Sequence, residues 1–76
     1  MAKPIEAVHQ QVGLRIRAIR EALGLNQEEL AKRIGVERTS IANIEAGRQR
    51  MLLHTVEEFS RALGTTTRHL LKGIWW

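Results

Sequence analysis

The sequence predicts an all-α fold, a compact bundle of five short helices, and three observations support that expectation. Apolar residues recur at spacings of three and four along most of the chain, which is typical of amphipathic helices. Most of these runs are followed by a glycine, the residue that most easily adopts the left-handed conformation at a helix end. No stretch alternates polar and apolar residues as a strand would, and no segment is repeated.

The first twelve residues form an N-terminal arm or an extension of helix 1. Apolar residues at helical spacing occur there, namely Ile5, Val8 and Val12, and Pro4 is acceptable at a helix start. Gly13 lowers the helix propensity of this run by about 1 kcal/mol. Helix 1 proper is predicted to continue from there until Gly24 ends it, and its inward residues are Ile16, Ile19 and Leu23.

Helix 2 has clear signals at both ends. Asn26 is a good N-cap, and Glu29 stands three residues later as a capping-box partner, so the helix should begin at Gln27. Its apolar stripe consists of Leu30, Ala31 and Ile34. Gly35 ends the helix and leaves only a few residues before the next one. Such a short connection makes two helices cross at a wide angle, which is the geometry of a helix-turn-helix unit.

Helix 3 separates an apolar face from a polar one. At about 100° per residue, with Arg38 set at zero, Ile41 and Ile44 point near 300° and 240°. Thr39 and Asn43 point near 100° and 140° on the same scale. Small residues share the polar arc, namely Ala42 and Ala46. This arc is therefore shaped for close approach to a partner.

The last third of the chain predicts two more helices. Helix 4 should extend from about Leu53 until Gly64, with inward residues Val56, Phe59 and Leu63. Thr66 is predicted to cap a short helix 5 that carries Leu70 and Leu71 and ends at Gly73. The domain would then comprise residues 13–73, and residues 74–76 form an apolar tail beyond its last core position.

Composition limits the possible functions. The chain has 76 residues, 43% of them hydrophobic, enough for one domain with a small core. It contains no cysteine, which excludes disulfides and cysteine zinc sites and suits a reducing cytoplasm. It has neither an apolar signal segment nor a run near the ~20 residues that cross a bilayer. We therefore expect a cytoplasmic protein without a membrane partner.

The net charge of +4 is compatible with a polyanion partner but does not require one. Basic residues cluster on helix 3 and just beyond it and also on helix 1; the two groups are Arg38, Arg48 and Arg50, and Arg15, Arg17 and Arg20. Two Trp and one Phe are too few for the stacking platform of a single-strand binder, so a duplex would be the better nucleic-acid partner.

Several positions with distinct physical roles together resemble the phage-repressor (Cro-like, xenobiotic-response-element) helix-turn-helix family. They are Ala31 where the helices touch, Gly35 at the turn, Val36 after it, and then Ile41 and Ile44. The similarity covers most of the chain, from about Gly13 to Leu71. It implies a lambda-repressor-like DNA-binding fold in which helices 2 and 3 form the helix-turn-helix. The sequence departs from the family pattern at Met51 and Leu52. Near these positions the family often has a proline and a capping serine.

The resemblance implies that helix 3 reads base edges through Arg38, Thr39 and Asn43. Arginine can donate two hydrogen bonds to guanine O6 and N7, asparagine can pair with adenine N6 and N7, and a threonine methyl suits the thymine methyl. The alternative is an ordinary solvated helix face. Glu37 is unusual near phosphates, and it either caps helix 3 or selects a cytosine amino group.

The resemblance also implies backbone contacts from Gln27, Arg48 and Arg50. Gln27 opens helix 2, and helix N-termini bind anions such as phosphate. The alternative for Gln27 is an ordinary residue of the first helical turn that binds no phosphate. The alternative for the two arginines is that their positive charge only complements the dipole of helix 3.

The family pairs an arginine of helix 1 with a glutamate of helix 3, which here would be Arg20 and Glu45. Glu45 lies near 340° on the wheel, about at the edge of the buried face. The alternative is an exposed ion pair that contributes little to stability.

No other chemistry is indicated. The histidines are scattered without ligand spacing, so we expect no metal, and the serines lack a paired histidine and acid, so we expect no enzyme. No cofactor or small-molecule ligand is evident.

The function implied is a regulator of transcription, usually a repressor, that binds a pseudo-palindromic operator as a homodimer and associates with the nucleoid when bound. Dimer contacts are expected from Thr66 and His69, where the family pairs subunits, and from Trp75 and Trp76, whose apolar surface exceeds what one core needs. The tail could instead fold back over its own domain. Alternatives are a restriction-modification controller or an antitoxin of the same fold, or a protein-interaction module that does not bind DNA.

Overall fold

The computed structural model describes residues 5–74, and it contains five helices and no strand over that range. The helices are α1 (Ile5–Ala22), α2 (Gln27–Ile34), α3 (Arg38–Glu45), α4 (Leu53–Ala62) and α5 (Thr67–Leu71). The predicted all-α fold is confirmed, and the ends of α2, α4 and α5 lie within about two residues of their expected positions. No helix within this range has the length and apolar character needed to cross a membrane.

The start of the helix-turn-helix has the predicted local structure. The Asn26 side chain accepts the backbone N–H of Glu29 at 2.8 Å, and the Glu29 carboxylate accepts the backbone N–H of Asn26 at 2.9 Å. Gly35 has a φ of 86° and donates its N–H to the carbonyl of Ala31 at 2.8 Å. This reciprocal cap and the left-handed glycine fix both ends of α2, and they determine where α3 can begin.

One apolar core joins all five helices. Its fully buried large side chains are Ile16, Leu30, Ile41, Phe59 and Leu70, one from each helix. Burying a side chain of this size stabilises the fold by about 1.5 to 3 kcal/mol. Since α3 contributes Ile41 and Ile44 to this core, its opposite face points outward.

Two predictions about the core are wrong. Leu23 was expected to point inward, but α1 ends at Ala22 and the side chain projects from the following turn, 51% exposed. Ile74 was placed beyond the last core position, but it is 7% exposed and belongs to the core, as in the alternative in which the tail folds back over its own domain. Gly73, at a φ of 76°, turns the chain back after α5, and the N–H of Ile74 donates to the carbonyl of Leu71 at 3.0 Å.

The segment before Gly13 is a helical extension of α1, because the helix passes through Gly13 without a break. A Cβ atom at this position would overlap the carbonyl oxygen of Ile44 and lie 2.9 Å from that of Glu45. At Gly47 a Cβ would lie 2.5 Å from the Cγ of Gln10. Two glycines therefore allow the first half of α1 to pack directly against the end of α3.

The start of α4 lacks a side-chain cap, as expected from the departure at Met51 and Leu52. Leu52 occupies the N-cap position, and its apolar side chain cannot accept a backbone N–H. Met51 is half-buried against the core, whereas Leu52 and Leu53 are exposed. α5 does have the predicted cap, since Thr66 Oγ1 accepts the N–H of His69 at 3.0 Å.

Candidate nucleic-acid interface

The outward face of α3 carries the three residues predicted to read bases. Arg38 and Thr39 are exposed and Asn43 is half-buried, while Ile41 on the opposite face is fully buried. Glu37 occupies the N-cap position of α3, but its side chain makes no capping hydrogen bond. The capping role suggested for Glu37 is therefore wrong.

A buried ion pair anchors α3 to α1. Arg20 Nε donates to Glu45 Oε2 at 2.6 Å, and Arg20 Nη2 donates to Glu45 Oε1 at 2.9 Å. The two side chains are only 10% and 4% exposed. Arg20 Nη1 also donates to the carbonyl of Leu25 at 2.7 Å, so the guanidinium spans the turn between α1 and α2 as well. The pair is therefore a buried ion pair and not the weakly stabilising surface pair that was the alternative.

The hydrogen bonds to the Glu45 carboxylate raise the pKa of the Arg20 guanidinium, although burial opposes the increase. A bidentate pair of this kind has a fixed geometry, because the planar guanidinium matches the two carboxylate oxygens. It therefore sets the orientation of the C-terminal end of α3 relative to α1.

Gln27 joins the ion pair to the outward face of α3. Its Nε2 donates to Glu45 Oε1 at 3.1 Å, and its Oε1 accepts from Arg38 Nη1 at 3.1 Å. The first residue of α2 is thus in contact with both ends of α3. The sequence predicts a phosphate contact for Gln27 and gives no signal for these two hydrogen bonds.

Arg48 and Arg50 follow α3 directly, and both are exposed. Gly47, at a φ of 74°, turns the chain so that the N–H of Arg48 donates to the carbonyl of Asn43 at 2.9 Å. Three residues after Arg48, the N–H of Met51 donates to His9 Nδ1 at 3.3 Å. The short basic loop is therefore attached to α3 at one end and to α1 at the other.

The basic group predicted on helix 1 does not form one shared surface. Arg20 is buried in its ion pair, and Arg15 Nη1 donates to the carbonyls of His69, Leu70 and Lys72 at the end of α5. Arg17 remains exposed and lies 3.5 Å from Glu21. Three arginines on one helix thus have three different environments, which spacing on that helix could not distinguish.

Thr66 and His69, the described members of the predicted dimer contact, are both exposed at the start of α5. Trp75 and Trp76 lie outside the described residues. Among residues 5–74, no three His, Asp or Glu side chains come together in a way that could hold a metal ion.

An outward polar helix, held by a capped helix and a left-handed glycine turn, defines a protein of the helix-turn-helix class. A family model described as "Helix-turn-helix" matches residues 16–70. The chain therefore belongs to the helix-turn-helix family of DNA-binding regulators, and the resemblance seen in the sequence is confirmed.

Comparison with individual proteins agrees with this. The chain is 49% identical over 49 residues to an uncharacterized HTH-type transcriptional regulator of Methanothermobacter thermautotrophicus, covering 64% of this chain and 71% of that protein. The restriction-modification controller C.AhdI of Aeromonas hydrophila has a TM-score of 0.77 at 33% identity, over 80% of this chain and 92% of the other. The biofilm master regulator SinR, solved in complex with DNA, has a TM-score of 0.74 at 29% identity, over 80% and 98%. The chain spans little more than half the length of two further relatives.

Proposed function

We propose that this chain is a sequence-specific transcription regulator that inserts α3 into the major groove of duplex DNA while α2 crosses the backbone. The observation that carries the proposal is the orientation of α3. Its apolar face is buried and a bidentate ion pair holds its C-terminal end, so the polar face that begins at Arg38 is presented outward on a rigid support. A helix held in this way can meet base edges in a fixed register.

Base reading is assigned to Arg38, Thr39 and Asn43. Arg38 and Asn43 have the donors and acceptors for bidentate contacts with guanine and adenine, and Thr39 offers a methyl group to thymine. The same polar arc carries two small residues, Ala42 and Ala46, which would let the helix backbone approach the groove closely.

Backbone contacts are assigned to Gln27, Arg48 and Arg50. The two arginines are exposed on a loop that is hydrogen-bonded to α3 and α1, so they can bind phosphates at a defined distance from the recognition helix. The second hydrogen of Gln27 Nε2 and the N-terminal amides of α2 are also suited to phosphate. Such contacts add affinity and fix register without reading sequence.

A homodimer on a pseudo-palindromic operator is the third part of the proposal, because one small domain makes few contacts. The residues proposed for the subunit interface are Thr66 and His69, together with Trp75 and Trp76. Sedimentation of the intact chain and of a Trp75→Ser, Trp76→Ser variant tests this, since that variant keeps Ile74 in the core. A monomeric intact chain at high concentration contradicts the dimer, and equal association of both proteins removes the tryptophans from it.

The mechanism that this domain could perform alone is simple occupancy of a promoter. Its usual outcome would be repression of transcription. The similarity to a restriction-modification controller covers nearly the whole length of that controller. It favours a second candidate function, a controller that also activates transcription. Either protein would act in the cytoplasm on DNA and would need no catalytic group.

Selection of duplexes from a random library tests the proposal. We expect a pseudo-palindromic consensus whose half-sites are about one helical turn apart, or a multiple of it. We also expect its affinity to fall steeply as salt is raised. Recovery of no preferred sequence, together with no salt-dependent duplex binding, would favour the protein-interaction module instead.

A further inference from the structure

The basic loop, residues 48–51, is held by few polar contacts. At its start the N–H of Arg48 donates to the carbonyl of Asn43 at 2.9 Å, and at its end the N–H of Met51 donates to His9 Nδ1 at 3.3 Å. Within the described part of the chain, the bond to His9 is the only hydrogen bond or ion pair that residues 49–51 make. No side-chain cap fixes the start of α4 just beyond the loop. His9 therefore supplies most of the polar restraint on the second half of the loop.

His9 lies on the first half of α1, before the residues that the family model matches. This part of α1 packs closely against the end of α3. A Cβ atom at Gly47 would lie 2.5 Å from the Cγ of Gln10, the residue next to His9. Val8, on the other side of His9 in sequence, packs against the core. The half-buried imidazole is thus held next to the basic loop by a segment whose own position is fixed by packing.

The His9 ring can accept this hydrogen bond only in its neutral form. A neutral imidazole has one N–H and one acceptor nitrogen, so Nδ1 is the acceptor and Nε2 carries the hydrogen. A protonated ring has N–H groups at both positions, and it would turn a donor toward the N–H of Met51. Histidine side chains change charge between about pH 5 and 8, so the contact with the loop depends on pH within that range.

The charges around His9 determine what protonation would add. Ionisable groups occur on the same stretch of α1, at the end of α3, on the basic loop and in the first turn of α4, namely Glu6, Glu45, Arg48, Arg50 and His54. Glu45 is paired with Arg20, and the side chain of Glu6 lies outside the described residues. The loop itself carries two exposed arginines, so a protonated ring would place a third cation beside them.

We propose that His9 is a positioning residue for Arg50, and that the hydrogen bond from Met51 to the neutral His9 ring holds Arg50 where it binds a DNA phosphate. The proposal rests on the function proposed above, because it takes Arg50 to bind phosphate. The bonded N–H belongs to the peptide unit that joins Arg50 to Met51, so it fixes the backbone directly after Arg50. Arg48 is fixed separately, through Asn43. Protonation of His9 therefore weakens the contribution of Arg50 and spares that of Arg48.

Two substitutions of His9 separate the hydrogen bond from the bulk of the side chain. His9→Leu removes the acceptor. His9→Asn restores an acceptor at nearly the same place, because the amide oxygen, like Nδ1, is bonded to Cγ, and asparagine does not titrate. His54→Asn is the matched control, since His54 is exposed in the first turn of α4. Denaturant midpoints are measured for every variant at pH 8 and pH 5, so that a change in stability is not mistaken for a change in binding.

Nitrogen-15 NMR of the free protein tests the hydrogen bond without DNA. At pH 8 we expect the His9 ring with its hydrogen on Nε2, and high backbone order parameters at Arg50 and Met51. At pH 5 these order parameters should fall in the wild type and in His54→Asn but stay high in His9→Asn. In His9→Leu they should be low at both pH values. Order parameters that neither pH nor His9→Leu alters would overturn the positioning role.

Binding is measured as the contribution of Arg50, the ratio of the affinity with Arg50 to the affinity with Arg50→Ala on the same duplex at the same pH. The ratio cancels effects of pH that both proteins share, including the added charge on His9. We expect it to fall about two- to fivefold from pH 8 to pH 5 in the wild type, the equivalent of one hydrogen bond, on every duplex tested. It should be low at both pH values in His9→Leu and constant in His9→Asn.

The corresponding ratio for Arg48→Ala should be the same at both pH values, because Arg48 does not depend on His9. An Arg50 ratio that neither pH nor His9→Leu alters overturns the proposal. The function on which it rests fails differently. If Arg50→Ala binds every duplex as tightly as the wild type at pH 8, while NMR still detects the release of the loop at pH 5, the assignment of Arg50 to phosphate binding is refuted and the His9 contact is not.

Discussion

Replacing Arg20 by alanine should destabilise the fold severely. The substitution removes two hydrogen bonds, at 2.6 and 2.9 Å, from a carboxylate that is 4% exposed and leaves Glu45 with the Gln27 amide as its remaining described side-chain partner. Breaking a buried pair by removing one partner costs about 3 to 5 kcal/mol. Since small domains have about 5 to 15 kcal/mol of stability in total, the loss is a large share of it.

Urea denaturation measures this effect, with Arg17→Ala as the matched control. Arg17 lies on the same helix and pairs with Glu21, but those side chains are 57% and 56% exposed and 3.5 Å apart, so the control should lose less than about 1 kcal/mol. With a slope of about 1 kcal/mol per molar urea, the midpoint of Arg20→Ala should fall by about 3 to 5 M. Coinciding midpoints for the two variants would refute the reasoning.

Three more predictions follow from the packing and the loop. Gly13→Ala should lower the unfolding free energy by about 1 to 3 kcal/mol, because its Cβ would overlap the Ile44 carbonyl, and a raised thermal midpoint would contradict this. Binding weakens as salt is raised, so the slope of log affinity against log salt concentration is negative. Arg48→Ala and Arg50→Ala should each make this slope shallower by about 1, on every duplex tested. If both slopes stay unchanged, these arginines do not bind phosphate. Thr66→Ala should cost about 1 kcal/mol in denaturation because it removes the cap of α5, and an unaltered midpoint would exclude that role.

Local signals in the sequence were sufficient to predict the helix-turn-helix. Asn26 with Glu29 defines where α2 begins, and Gly35 defines where it ends, because caps and left-handed glycines act over only three or four residues. The inward position of Ile41 follows from helical periodicity alone. Leu23 and Ile74 were misassigned since both lie at turns, where the direction of a side chain depends on how the chain reverses.

The supporting network of the candidate site could not be predicted in the same way. The contacts of Gln27 with Glu45 and Arg38 join residues 11 and 18 positions apart, and periodicity along one helix carries no information about them. Gly13 gave a partial signal, because a glycine inside a helical pattern often marks close packing. Which backbone approaches it becomes visible only when α1 and α3 are seen together.

The central claim is that the outward face of α3 reads DNA sequence, and the binding of Arg38→Ala and Asn43→Ala to single-base operator variants tests it most directly. We predict that each variant loses about 1 to 3 kcal/mol on the selected operator and loses preference at its own base pair, while its affinity for unrelated duplex hardly changes. Wild-type preference profiles in both variants would contradict the account.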